Sequence, residues 1–324
     1  MNVKKYIFLV AICTIFLTGC TDTDDNEIQF SLSGDYFTVA TPFKRGVAEN
    51  YIPVATGNRI DLNETELGLM RIATKYHDTS NYLFQAGQFL TTRKVDNIIE
   101  KTNEDNPYVA YLVEQNYLTK SNNLAGIAIG VVINPFINDE TLTTDEIKAL
   151  MLRISPIILS ELRSNEELEN TPVIIAAYLM RPRTSLVPGS YILEQRTRTN
   201  EIEEFNFINE EYYVLTDSSL ISMDEPTFRA FANIRADLET KFPNIVITGT
   251  GHYYNERLKQ LHIDVNAGFI RPHEVLAISN HLITEFNRNF SRNINIIINV
   301  NSDRETLAIL TINSNTRDNI NLLI

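Results

Sequence analysis

The residue with the clearest chemistry is Cys20, which closes the run Leu17-Thr18-Gly19-Cys20. Lys4 and Lys5 precede a predominantly apolar stretch, residues 6–17, and small residues follow it. A charged start, a short apolar middle and a small-residue end make a secretory leader. The stretch is shorter than the about 20 apolar residues that a spanning helix needs. Leucine and two small residues ahead of a cysteine form the pattern of a bacterial lipoprotein signal. In that reading Cys20 is acylated on sulfur and becomes the first residue once the chain is cut between Gly19 and Cys20. The partners are then lipoprotein diacylglyceryl transferase, signal peptidase II and, through the lipid on Cys20, the extracytoplasmic face of the cell membrane. Cys13 and Cys20 are the only cysteines, so the mature chain holds no internal disulfide and no thiolate zinc site.

Other reactive residue types form no constellation. Arg181 and Arg183 lie in the one basic, proline-bounded loop, residues 181–190. Arginine binds carboxylate and phosphate bidentately, so this loop is the candidate anion site; the plainer reading is a solvated turn. His273 and His281 fall eight apart on one expected helix, but a His-Glu-x-x-His motif would need a second histidine where Ala277 stands. His252 and His262 lie on expected strands, and His77 ends a helix, where an imidazolium would suit the dipole. Gly249-Thr250-Gly251 lacks the third glycine and following helix of a dinucleotide cradle. No Gly-x-Ser-x-Gly elbow occurs. No enzyme, cofactor or metal is expected.

A net charge of −13 excludes nucleic acid as an expected partner. Hydrophobic residues make up 44% of the chain, which argues for a packed globular part. An acidic tether, residues 20–27, leads into it. Asn63 and Glu66 read as a cap and its partner for a helix carrying Leu69, Ile72, Ala73 and Tyr76. A second helix is expected over residues 92–101. Two later segments then match each other. Leu124, Ile127, Ile129 and Val131 repeat the strand pattern of Leu258, Leu261, Ile263 and Val265. Each strand leads into an amphipathic helix. One starts at Thr143 with Glu146 as its capping-box partner and meets Pro156, which should kink or divide it. The other starts at Pro272. Strands at 173–179 and 294–300 follow, and a further strand follows each. The expected fold is α/β with mixed sheets: two tandem similar repeats, each a mixed sheet with helices packed on it. Residues 28–199 form the first, 200–225 an acidic connector and 226–324 the second.

Several stretches resemble the CamS family of Gram-positive lipoproteins, described as sex pheromone precursors. They are Leu32-Ser33-Gly34-Asp35-Tyr36 with Pro42-Phe43-Lys44, Gly68-Leu69-Met70-Arg71-Ile72-Ala73, residues 82–90, Ser185-Leu186-Val187-Pro188-Gly189, and Gly249-Thr250-Gly251 with Leu258-Lys259-Gln260-Leu261. The resemblance runs along the chain in the same order. It implies two tandem α/β repeats, and a conjugation-inducing peptide trimmed from the leader by an intramembrane protease after signal peptidase II has cut. Here that peptide is Cys13, Thr14, Ile15, Phe16, Leu17, Thr18 and Gly19. Ile15-Phe16 fits the apolar family pattern, whereas Cys13, Thr18 and Gly19 stand in place of Ala-rich ends. The folded part is expected to do something separate, with a membrane-tethered binding module for a small anionic or wall-derived ligand as the alternative reading.

Overall fold

A computed structural model describes residues 36–103, 106–137, 140–202, 204–268, 270–302, 305–313 and 318–323. Cys20, the leader, its residues 13–19, the tether and Leu32 to Asp35 lie outside the described residues. In chain order the elements are β1 (Thr38–Val39), α1 (Leu62–Ala73), β2 (Tyr82–Ala86), α2 (Thr92–Thr102), β3 (Val109–Thr119) and β4 (Leu124–Ile133). A small hairpin, β5 (Phe136–Ile137) and β6 (Glu140–Thr141), leads to α3 (Thr144–Arg163), β7 (Val173–Leu179), β8 (Ser190–Thr197) and β9 (Asn206–Phe207). The second half holds β10 (Glu210–Val214), α4 (Ser219–Lys241), β11 (Ile245–Tyr254), β12 (Arg257–Ala267), α5 (Pro272–Asn289), β13 (Asn295–Asn301), β14 (Thr306–Ile312) and β15 (Asn319–Leu322).

The strand order is β1-β2-β3-β4-β7-β8-β9 in one sheet and β10-β11-β12-β13-β14-β15 in the other. Setting β1 aside, the two sheets have the same six-stranded plan. Each has one parallel pair, joined by a helical crossover: β4 to β7 from Ile127↔Val173 to Ile133↔Leu179, and β12 to β13 from Gln260↔Asn295 to Asn266↔Asn301. Antiparallel neighbours flank both pairs. Such a crossover needs a dozen or more residues, which α3 and α5 supply. The expected pair of mixed-sheet repeats is present, and its match extends to α2 and α4, each placed between the first two strands of its unit.

Alternation decides the faces. Ile127, Ile129, Val131 and Ile133 share one side of β4 with Val173, Ile175 and Ala177 of β7, beneath Ile98 of α2 and Met151, Ile154 and Ile158 of α3. Ile263, Val265, Ile298 and Val300 do the same beneath Phe231 of α4 and Leu282 and Phe286 of α5. Each of these side chains apart from Ala177 contributes about 1.5–3 kcal/mol on burial. The first sheet is also covered on its other side, where Leu69 and Ile72 of α1 meet Ala128, Val132 and Ile174. Tyr191 is wedged between α1 and β4 there, because a Cβ on Gly68 would sit 2.8 Å from its ring and one on Gly130 would overlap its hydroxyl. Among the described residues no helix covers the matching face of the second sheet. That face carries Thr248, His262, Asp264, Asn299 and Asn301, polar side chains suited to water.

Three details differ from expectation. The first helix is capped at Asp61 rather than Asn63, and Asp61 makes no capping bond because its carboxylate takes Arg59 Nε and the Gly189 N–H. Pro156 does not divide α3, whose Thr143–Glu146 capping box forms as expected. The stretch read as an acidic connector, residues 200–225, carries two strands and the start of α4. β9 closes the first sheet, β10 opens the second, and only Ile208 and Asn209 lie between them. Strands of two and five residues are too short to leave a readable alternation.

Candidate functional site

The candidate site forms where β2 stops. Ala86 pairs with Gln115, and β3 runs on from there without its neighbour. The chain turns away at Gly87, whose N–H donates to the Glu114 carbonyl while its own carbonyl accepts from Val47 N–H. Glu114 then fixes the turn into α2. Its carboxylate accepts the N–H of Gln88 at 2.9 Å, of Phe89 at 3.0 Å and of Leu90 at 2.6 Å. Thr91 caps the helix that follows. The segment around residues 43–52 crosses over the uncovered edge and is tied to α2 by Tyr51 Oη donating to Asp96 Oδ1 at 2.6 Å.

These pieces enclose a cavity of about 230 Å³. Its walls are largely apolar and include Phe43, Leu62, Phe84, Leu90, Tyr111 and Leu112. Three carboxylates, Glu49, Glu66 and Glu114, also line it; no lysine, arginine, histidine, serine, threonine or cysteine does. Burial raises the Glu114 carboxyl, although its three backbone N–H partners pull the other way. Partial desolvation at the mouth and the nearby charge of Glu49 also raise Glu66; both residues are exposed there. Tyr111 is 2% exposed; its hydroxyl lies near Thr65 without a hydrogen bond of ordinary geometry, and burial pushes it up to about 12. The lining has no nucleophile beside a base. Its geometry suits binding.

A second constellation joins the two sheets. Arg71 of α1 donates from Nη2 to Glu64, to Glu210 Oε1 at 2.9 Å and to Tyr212 Oη at 3.1 Å. Tyr212 Oη donates to Glu64 at 2.6 Å, and His252 Nε2 lies 2.7 Å from Glu210 Oε1 with its ring stacked on Tyr212. Burial alone would raise Glu210, but the charges of Arg71 and His252 outweigh it and hold the carboxyl below its usual range. This network is a buried clamp between repeats.

The residues singled out from sequence are scattered. Arg181 and Arg183 sit between β7 and β8 and do not line the cavity. Arg59 holds that loop down through the Arg181 and Ser185 carbonyls. His77 is a correction to the expected helix-end imidazolium. It is 2% exposed and stacked on Tyr117, and burial lowers its pKa to about 4, so it is neutral. His262 and His273 are exposed. His281 does not meet His273 but lies 2.7 Å from Asp237 Oδ2, near Glu285. Lys241 and Arg288 already pair with those two carboxylates. The cavity itself was missed from sequence. Its signal was the cluster Phe84, Gly87 and Leu90 in the stretch 82–90, together with Phe43, all within segments that carry the family resemblance.

Two matching mixed sheets, each with two helices on one face, define a tandem α/β protein with a small acid-rimmed cavity in its first repeat. A family model described as the CamS sex pheromone cAM373 precursor matches residues 43–107 and 99–318, and the chain belongs to the CamS family. Among solved structures, the sex pheromone precursor from Lactobacillus salivarius subsp. salivarius UCC118 is similar at 22% identity and a TM-score of 0.72, over 81% of this chain and 87% of that one. The C-terminal domain of the sex pheromone staph-cAM373 precursor from Staphylococcus aureus is similar at 19% identity and a TM-score of 0.72, over 83% of this chain and 98% of that one. At these identities the likeness concerns the fold. No curated protein matches. Among the described residues no helix is long and apolar enough to cross a membrane.

Proposed function

We propose that this chain is a lipid-anchored precursor whose folded part is a ligand-binding module, not an enzyme, held at the extracytoplasmic face of the cell membrane. Cys20 carries the lipid, signal peptidase II cuts after Gly19, and residues 13–19 leave as a conjugation-inducing peptide. The leader pattern and membership of the CamS family support the precursor half. The observation that carries the binding half is the cavity under residues 43–52, apolar within and without a nucleophile–base pair in its lining. Pockets of this kind, apolar with a few placed polar groups, are the usual sites for small ligands.

Acyl chains contribute about 0.8 kcal/mol per buried CH₂, so a diacylated Cys20 gives firm anchoring. Cys20→Ala is expected to leave the precursor uncut and residues 13–19 absent from the medium, read by intact mass and peptide mass spectrometry. Normal maturation of that variant would overturn the anchoring half. A small-molecule thermal-shift screen on the full chain tests the binding half; no shift with any compound would sink it. A second reading rests on the basic loop, where Arg183 is exposed. There an anionic wall fragment would bind, and Arg181→Ala with Arg183→Ala should abolish a shift caused by inorganic pyrophosphate.

A further inference from the structure

The cavity of the first repeat also limits the charge of what it can hold. Its volume of about 230 Å³ compares with the 150 Å³ apolar cavity that accepts benzene, and so suits a body of about nine heavy atoms. Three carboxylates line it, and among the described residues no basic side chain in the lining offsets them. They are not equivalent. Both oxygens of Glu114 are occupied by the N–H groups of Gln88, Phe89 and Leu90. Glu49 accepts the Gly46 N–H with one oxygen, at 3.2 Å. Glu66 is the rim carboxylate left to meet a ligand, and the charge of Glu49 beside it makes the ionised form less favourable. An anion entering here would meet these charges with no cation among the described lining residues, since Lys44 and Arg45 of the covering segment are exposed and lie outside the lining. A cation would relieve their repulsion, and a partly desolvated site strengthens that attraction relative to water. Buried Tyr111, whose hydroxyl lies near Thr65, adds an aromatic wall.

We propose that this cavity binds a small organic ammonium, its apolar body between Phe84, Leu90, Tyr111 and Leu112 and its cationic head at the rim held by Glu66 and Glu49. This rests on the reading of the folded part as a binding module and assigns that module a ligand class opposite in charge to the one expected of the basic loop. The other titratable groups facing the cavity are Glu114, Tyr51, which is bonded to Asp96, and Tyr111.

The test is calorimetric titration of the full chain in detergent at neutral pH with three probes of similar shape: 2-phenylethylamine, 2-phenylethanol and phenylacetate. The amine is expected to bind at least tenfold more tightly than the alcohol, and phenylacetate more weakly than either. Raising the salt should shrink the amine's advantage without touching the alcohol. Glu66→Gln, a change at an exposed position, should reduce the amine's advantage, and Glu49→Gln with Glu66→Gln should bring the amine down to the affinity of the alcohol, with thermal melts confirming that both variants are folded. Equal binding of amine and alcohol by the unaltered chain, or an amine preference that survives the double substitution, would overturn the ammonium assignment and leave the binding module standing. Binding of none of the three would overturn the assignment, and the compound screen then decides whether the module reading falls with it.

Discussion

The clamp between the repeats gives a sharp stability prediction. Arg71→Met removes the guanidinium that serves both Glu64 and Glu210, whose side chains are 16% and 2% exposed. The loss of one member of a buried ion pair costs about 3–5 kcal/mol, because the partner's charge stays desolvated; here, among the described residues, Glu210 keeps only His252, at 2.7 Å, and Glu64 keeps only Tyr212. For a chain of this length that corresponds to a fall in Tm of about 6–10 °C. The pair itself is worth far less, since burying two ions costs several kcal/mol each before they attract one another. Arg71→Met with Glu210→Met is therefore expected to recover most of the loss. Linkage adds a pH signature. The folded Glu210 carboxyl is depressed from its ordinary value of 4.5, so its contribution is full above that value and is lost as the pH falls through the lower folded one. In Arg71→Met that acid-side loss should shrink. Urea unfolding followed by tyrosine fluorescence, which suits a chain with 14 Tyr and no Trp, compares both variants with the unaltered chain. A cost below about 1 kcal/mol for Arg71→Met, or a double variant as unstable as the single, would refute the reasoning, since the clamp would then contribute no coupling.

Other positions give independent checks. Gly130→Ala places a methyl against Tyr191 Oη, which donates to the Thr65 carbonyl at 2.7 Å; overpacking should cost about 1–3 kcal/mol, read as a lower urea midpoint at unchanged slope. His77 is buried neutral with a folded pKa of about 4 against 6.5 unfolded. The unfolded chain takes up the proton first, so stability is full above 6.5 and falls by about 2 kcal/mol by pH 5. His77→Phe should flatten that slope, whatever it does to stability at pH 7. Thr143→Ala opens the capping box at the start of α3 and should cost about 1 kcal/mol, seen as a Tm shift of about 2 °C.

The architecture was legible because its determinants are local. Ile127, Ile129 and Val131 keep a period of two, Ile147, Met151, Ile154 and Ile158 a helical one, and Thr143 with Glu146 names a helix start within four residues. The same patterns recur at Ile263 and Val265 and along α5, which is why the duplication could be read without coordinates. The cavity was not legible because no local pattern specifies it. Its walls come from five places, Phe43, Leu62, Phe84, Leu90 with Val95, and Leu112, and it exists because β2 is only five residues long while β3 continues. Glu114 shows the difficulty in one residue. In sequence it is a charge interrupting an apolar strand, the usual sign of a solvated face. In the fold it is half-buried, and three successive N–H groups turn toward its carboxylate.

The duplication also explains why the site lies in the first repeat. The second sheet repeats the first strand for strand, but α1 and the cover around residues 43–52 belong to chain that precedes the repeated unit. In the second repeat, only Ile208 and Asn209 separate β10 from the strand before it, so no length of chain is available there to fold back as a helix. The corresponding sheet face therefore stays polar, with Asp264 bonded to Asn299 and Asn301, whereas the first repeat gains a helix, an apolar cavity and the arginine that clamps the two together. Function at the cavity and stability at the clamp are thus tied to one added helix. Leu62 and Glu66 face the cavity from its N-terminal half, and Arg71 reaches Glu210 from its C-terminal end. Ligand entry that shifts α1 along the sheet would be felt at Glu210. A ligand-dependent change in the Arg71→Met stability penalty would report that coupling, and equal penalties with and without 2-phenylethylamine would show the two ends to be independent.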